Sequence, residues 1–214
     1  MVEGRTLIDE VVAAGWSIEG LYAAPDVPTI AGLDPVFGLA PGVAERVSDL
    51  DTSPGLFAVV ALPTIDDALL VTTDFVVVAD RIADPGNLGT IMRSAEAAGA
   101  GAVVVTPGTV DAMSPKVVRA SAGALFHVAV VPATLDAVRA AGLRLIGTSS
   151  HRGAAHTEAD WTGRIAIVAG NESAGLEPEA PIDEWVRIEH RGRAESLNVA
   201  MATTVLCFEA ARHR

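Results

Sequence analysis

The chain has 214 residues and a mass of 22.0 kDa, enough to bury the core of one ordinary domain and leave a smaller one beside it. Half of the residues are apolar and 20% are charged, a globular composition that excludes extended disorder. The lone Cys207 excludes a disulfide framework or a cysteine zinc site within one chain, and the net charge of −12 excludes a uniformly basic nucleic-acid binder.

In chain order, residues 4–16 space their apolar side chains for a helix ending at Gly15, and residues 18–24 read as a short strand. A loop-rich stretch with Pro25, Pro28, Pro35 and Pro41 follows. Next come a short helix from Val43, a turn at Pro54-Gly55 and a strand over 56–62. Residues 62–74 read as a linker, with a domain boundary near residue 65, which gives domains 1–65 and 66–214. Beyond it, apolar runs at 75–79 and 102–106, continued by strand-like segments at 126–131, 143–148 and 165–169, alternate with helical segments at 88–98, 115–121 and 134–141. Strands apolar on every residue are covered on both faces, so the pattern predicts an α/β fold with a parallel sheet flanked by helices. Asp74 and Asp80 bracket the strongest apolar run, no run is long enough for a membrane span, and no leader pattern opens the chain. A cytoplasmic protein without membrane contact is expected.

Ligands of such sheets bind at loops beyond the carboxyl ends of the strands, and three loops stand out. In the first, residues 80–100, Pro85-Gly86 makes a turn, Asn87 suits a helix N-cap, Gly89 admits a second backbone, and Arg93 follows in the second turn. A dinucleotide fingerprint fails for want of a third glycine, and a capped helix with a solvated arginine is the plainer reading. In the second, residues 167–180, Gly170 and Gly175 bracket Asn171, Glu172 and Ser173. Glu172 also suits a cap acceptor, and Pro178 the first turn of a short helix. The third, HRGRAESLNVA at 190–200, gathers basic side chains ahead of a helix running to Arg212. Ser196 or Asn198 caps it, and Glu195 complements its positive end. Leu197, Val199, Met201, Val205, Leu206, Phe208 and Ala211 make that helix broadly apolar, so it is expected to be buried with Cys207 in the core. His151 and His156 lie in a Gly/Ala loop without a carboxylate or cysteine constellation, so no metal is expected.

These loops, in this order, resemble the three signature motifs of the SpoU (TrmH-like) RNA ribose 2′-O-methyltransferases of the SPOUT superfamily. DPGNLGTIMRSAEAAGA matches through Asn87, Gly89 and Arg93, AGNESAGL through Gly170, Asn171, Glu172 and Gly175, and ESLNVAMATTVLCFEAARHR through Ser196, Leu197, Asn198 and Glu209. The upstream residues resemble the family's small L30e-like substrate-binding domain, and the opening at Val2-Glu3-Gly4 leaves a truncation of it open. The resemblance implies a C-terminal segment threaded into a deep trefoil knot, a rare exception to unknotted topology. It also implies S-adenosylmethionine as cofactor, no metal, and a homodimer whose interface completes the site.

Carried over, Thr148, Gly170, Ile188 and Leu197 would hold the cofactor, and Asn87, Arg93, Glu172, Ser196 and Asn198 would line the catalytic wall. A guanidinium is a poor proton acceptor at neutral pH, so Arg93 is expected to grip the phosphate beside the target ribose. Arg81, Lys116, Arg119, Arg191 and Arg193 are the expected RNA cations. Residues 1–70 hold eleven acids against Arg5 and Arg46, a net of −9, and residues 71–214 hold sixteen acids against thirteen bases, a net of −3. RNA should therefore meet the C-terminal part. The L30e-like domain favours ribosomal over transfer RNA. The alternatives are a transfer-RNA methyltransferase and a cofactor-binding, RNA-associated member without catalysis.

Overall fold

The computed structural model describes residues 1–66 and 68–214, and Asp67 of the expected linker lies outside the described residues. The chain divides into two compact units, Met1–Thr64 and Ile65–Arg214. Among the described residues no helix is long and apolar enough to cross a membrane.

The first unit runs β1 (Val2–Glu3), α1 (Arg5–Ala13), β2 (Ile18–Ala23), β3 (Val36–Gly38), α2 (Val43–Val47) and β4 (Leu56–Val60). Its sheet has the order β1-β4-β2-β3, with β3 parallel to β2 and the other pairs antiparallel. Helix α1 buries Ile8 and Val11, and it stops where Gly15 turns left-handed at φ 73° and its N–H bonds the Val12 carbonyl at 3.0 Å.

The second unit continues α3 (Leu69–Thr72), β5 (Phe75–Ala79), α4 (Pro85–Ala97), β6 (Ala102–Val105), α5 (Pro115–Ala120), β7 (Ala129–Pro132) and α6 (Leu135–Ala140). It closes with β8 (Arg144–Thr148), β9 (Ala154–Ala155), β10 (Ile165–Ala169), β11 (Glu184–Arg187) and α7 (Val199–Ala211). The sheet order is β7-β6-β5-β10-β8-β11-β9, and every neighbouring pair is parallel. The helices flank this sheet, the α/β architecture that the uniformly apolar runs predict. Strands β5 and β10 are buried at every residue and pair in register from Phe75↔Ile165 to Ala79↔Ala169. Because they end together, the loops that follow each of them begin side by side. The Asp80 N–H extends the pairing to the Ala169 carbonyl at 2.8 Å.

Several expectations are corrected. Helix α4 begins at Pro85, three residues earlier than expected, and its cap is Asp84, whose carboxylate accepts the Asn87 N–H at 2.8 Å. Asn87 is thus inside the first turn, which frees its side chain for other partners. The run 126–131 is not one strand: Gly123 at φ 97° leads into a single 3₁₀ turn, Ala124–Phe126, before β7 begins. Pro178 lies in a turn and opens no helix. Strands β9 and β11 were not predicted, because β9 is only two residues long and β11 carries Glu184 and Arg187 at its ends.

Helix α7 is also not buried all round. It packs on α4 and β10 and buries Ala200, Thr203, Leu206, Cys207 and Ala210, while Met201 (63% exposed), Val205 (39%) and Phe208 (47%) face out. Burial pushes the Cys207 thiol up to about 12, so it is a packing group. Helices α4 and α7 are joined by the hydroxyls of Ser94 and Thr204, 2.6 Å apart.

Gly89 sets the approach of α4 to the segment leaving α5. A Cβ there would lie 2.4 Å from the Ala120 Cβ and 2.7 Å from the Ser121 backbone nitrogen. Gly89→Ala is therefore expected to destabilise the chain by about 1–3 kcal/mol, read as a lower urea midpoint at unchanged slope.

Candidate active site

The site is built where β5, β8 and β10 end. Glu172 is central to it. Its carboxylate accepts the Ala83 N–H at 3.1 Å, the Asp84 N–H at 3.0 Å and the Asn87 Nδ2 at 3.0 Å. A carboxylate at the first turn of α4 also meets the positive end of that helix. Asn87 in turn accepts the Asn198 Nδ2 through its Oδ1 at 2.9 Å. Asn198 caps α7, its Oδ1 taking the Ala200 and Met201 N–H groups at 2.9 and 3.2 Å. A continuous chain of hydrogen bonds thus runs from the second loop through the first to the third.

Electrostatics follow from this geometry. Partial burial by itself pushes the Glu172 carboxyl up, but the hydrogen bonds from Asn87, Asp84 and Ala83 outweigh it and hold the group below the usual carboxylate range. Glu172 is therefore an anion at neutral pH.

Beside this cluster lies a cavity of about 140 Å³, walled by the ends of β8, β10 and β11 and by the start of α7. Thr148, Gly170, Ile188 and Leu197, the expected cofactor residues, all line it, as do Glu172 and Ser196. Gly170 is tightly enclosed: a Cβ there would lie 2.6 Å from the Gly175 carbonyl carbon and the Leu176 nitrogen. Sequence reading missed Ser149, Ser150, Val186, His190, Val199, Ala202 and Leu206, which also line the cavity. The polar Thr148-Ser149-Ser150 run directly after an apolar strand was the available signal. Val186 was hidden with the unpredicted β11.

Arg93 is not brought into the cluster. It is exposed in the third turn of α4, six residues or about 9 Å along the axis from Asn87. Arg81, expected as an RNA cation, is instead committed within the fold. Its guanidinium bonds Asp80, Glu177 and the Gly175 carbonyl. Lys116, Arg191 and Arg193 are exposed, Arg119 is half-buried, and the expected helix-end acid Glu195 is exposed in the loop before α7. Glu209 on α7 pairs with Arg212 and His213, which follow the helix's last residue. Among the described residues no group of three or more His, Cys, Asp or Glu side chains is placed to hold a metal ion.

The chain matches the model of the SpoU rRNA Methylase family over residues 74–208. It is 31% identical over 217 residues to the 23S rRNA (guanosine(2553)-2′-O)-methyltransferase RlmP of Bacillus subtilis, covering 97% of this chain and 86% of that protein. It is 38% identical over 178 residues to the 23S rRNA (uridine(2479)-2′-O)-methyltransferase of Streptomyces viridochromogenes, covering 77% of this chain and 62% of that one. Among solved structures, the SpoU methyltransferase AviRb of the same Streptomyces species, in complex with its cofactor AdoMet, superposes with a TM-score of 0.86 at 32% identity, over 99% of this chain and 89% of that one. The AdoMet-bound rRNA methyltransferase of Sinorhizobium meliloti also gives 0.86, at 30% identity over 99% and 86% of the two chains. The knitted loops, the cavity beside them and these likenesses agree: the chain belongs to the SpoU rRNA methylase family.

A carboxyl held low in the folded state stabilises the fold above its unfolded pKa and loses that contribution as pH falls through the folded value. Glu172→Gln is accordingly expected to lower the urea midpoint at pH 7. The difference from the parent should close as pH drops below the ordinary glutamate range of about 4.3.

Proposed function

We propose that this chain transfers the methyl group of S-adenosylmethionine to the ribose 2′-hydroxyl of a nucleotide in ribosomal RNA. The observation that carries the reading is the Glu172–Asn87–Asn198 chain standing at the edge of a cavity lined by Thr148, Gly170, Ile188 and Leu197. The donor set suits the cofactor: Ile188, Leu197, Val199 and Leu206 offer an apolar wall for a purine, and Ser149, Ser150, His190 and Glu172 offer polar groups for a ribose and an amino acid. Bound there, S-adenosylmethionine supplies an electrophilic methyl group on a positive sulfonium.

The residues position and discriminate. Asn87 and Asn198, locked on Glu172, present a polar wall to the target ribose, with Ser196 on the same cavity. Reaction requires the 2′-oxygen to be held about 3–3.5 Å from its target carbon, so rigidity of this wall is part of the catalysis. Arg93 serves as a fork for the adjacent phosphate and for negative charge developing on the oxygen.

In one chain Arg93 lies apart from that wall, and we read the missing link as a homodimer. Met201, Val205 and Phe208 recur on one exposed face of α7, an apolar stripe suited to a second copy. Paired through this face, Arg93 of the partner subunit would complete the wall. The C-terminal segment is read as the knot: β10 enters the sheet between β5 and β8, and α7 returns from β11 at the far side to pack on α4 and β10. The Met1–Thr64 unit is read as the substrate-recognition module. Its acidity leaves phosphate contact to Lys116, Arg191 and Arg193 and, in part, Arg119.

Arg93→Ala is expected to lower methyl transfer to ribosomal RNA by about 10²-fold or more, with cofactor affinity by calorimetry unchanged within about twofold. Parallel loss of cofactor affinity would contradict the assignment. Mixing inactive Arg93→Ala and Glu172→Gln chains is expected to restore about a quarter of parental activity, since half of the dimers then hold one intact site. No restoration would place both residues in the same chain's site. Phe208→Asp is expected to give monomers in sedimentation.

A further inference from the structure

We infer that Arg81 is a positioning residue, a clamp that sets where Glu172 stands; this rests on the methyltransferase reading. Arg81 follows β5 and the buried Asp80, and it holds φ 55°, a left-handed conformation that few residues other than glycine adopt. What stabilises it there is a full set of partners. Its N–H donates to the Thr106 Oγ1 at 3.1 Å, and its carbonyl accepts the Asn171 Nδ2 at 2.8 Å. Its Nε donates to the Asp80 Oδ2 at 3.1 Å, its Nη1 to the Glu177 Oε1 at 2.5 Å and its Nη2 to the Gly175 carbonyl at 3.3 Å. Thr106 closes the ring by donating to the Asp80 Oδ1 at 2.8 Å.

The consequence concerns the turn from Asn171 to Gly175, which carries Glu172. Arg81 holds this turn at both ends, through its own carbonyl at Asn171 and through its guanidinium at Gly175. Asn171 also accepts the Ser173 and Ala174 N–H groups at 3.0 Å each, so the turn is stiff as well as anchored. Glu172, between those anchors, is then delivered to Ala83, Asp84 and Asn87. A planar fork reaches a carboxylate on each side and a carbonyl at once, and the compact lysine ammonium does not. Asp80 and Glu177 neutralise the guanidinium, which also argues against a phosphate partner for it.

The test uses the full chain and three variants. Arg81→Ala is expected to lower kcat about 10–100-fold, since a displacement of about 1 Å costs that much, while RNA affinity and its salt slope stay unchanged. In amide exchange, Ala83 and Asp84 should lose protection while the core strands keep theirs. Arg81→Lys should not rescue. Glu177→Gln should shift kcat and exchange in the same direction by less, and combined with Arg81→Ala it should add nothing. If Arg81→Ala fails to fold, Glu177→Gln, altered at the exposed end of the pair, carries the test. Unchanged exchange at Ala83 and Asp84, or a salt slope reduced by about one with kcat intact, would overturn the clamp and return Arg81 to the RNA surface. If the parent transfers no methyl group, the methyltransferase reading fails while the exchange measurement still decides the clamp.

Discussion

One carboxylate ties together loops that are distant in sequence. Glu172 stands 85 residues from Asn87, and Asn198 joins Asn87 across 111 residues. Its carboxylate takes three donors, from Ala83, Asp84 and Asn87. Those donors come from the start of α4, so the negative charge also answers the positive end of that helix. The same contacts that settle the charge bring the loops into one wall. Folding stability and site assembly are therefore carried by the same bonds.

The sheet makes this possible. Strands β5 and β10 are buried on both faces and paired in strict register, which fixes the ends from which the first two loops depart. The third loop is brought there from the far side of the sheet by α7, anchored on α4 through Ser94 and Thr204 and on β10 through its buried face. That helix is apolar on both sides, and only one side is covered in a single chain. An exposed stripe of Met201, Val205 and Phe208 beside an unengaged Arg93 is what a subunit awaiting its copy would present. The dimer proposal explains both features with one contact surface.

Much of this was legible from residue patterns, and the failures have physical causes. Uniformly apolar runs mark β5, β6 and β10, β8 shows only Leu145 and Ile146 between Arg144 and Gly147, and the polar loops point to the candidate site. The residues that the resemblance nominated for the cofactor all line the cavity. The cap of α4 was misplaced because Asp84 and Asn87 are equally good cap types, and only the Pro85 first turn decides between them. The exposed face of α7 is not legible in the sequence, because an apolar residue on a helix reads as core whichever way it faces. Arg81 reads in sequence only as a charge, whereas Asp80, Glu177 and Gly175 converge on it in space. Strand β11 was missed because a strand near the sheet edge tolerates the charged ends that Glu184 and Arg187 give it.

A ribose 2′-O-methyltransferase leaves its methyl group on a ribose oxygen. A ribose blocked at its 2′-oxygen resists alkaline cleavage of the next phosphodiester, so methyl-labelled S-adenosylmethionine with ribosomal RNA, followed by alkaline digestion, reads the product directly. The account predicts label in an alkali-stable dinucleotide from one position. Label in mononucleotides, or bound cofactor with no labelled RNA, would contradict it.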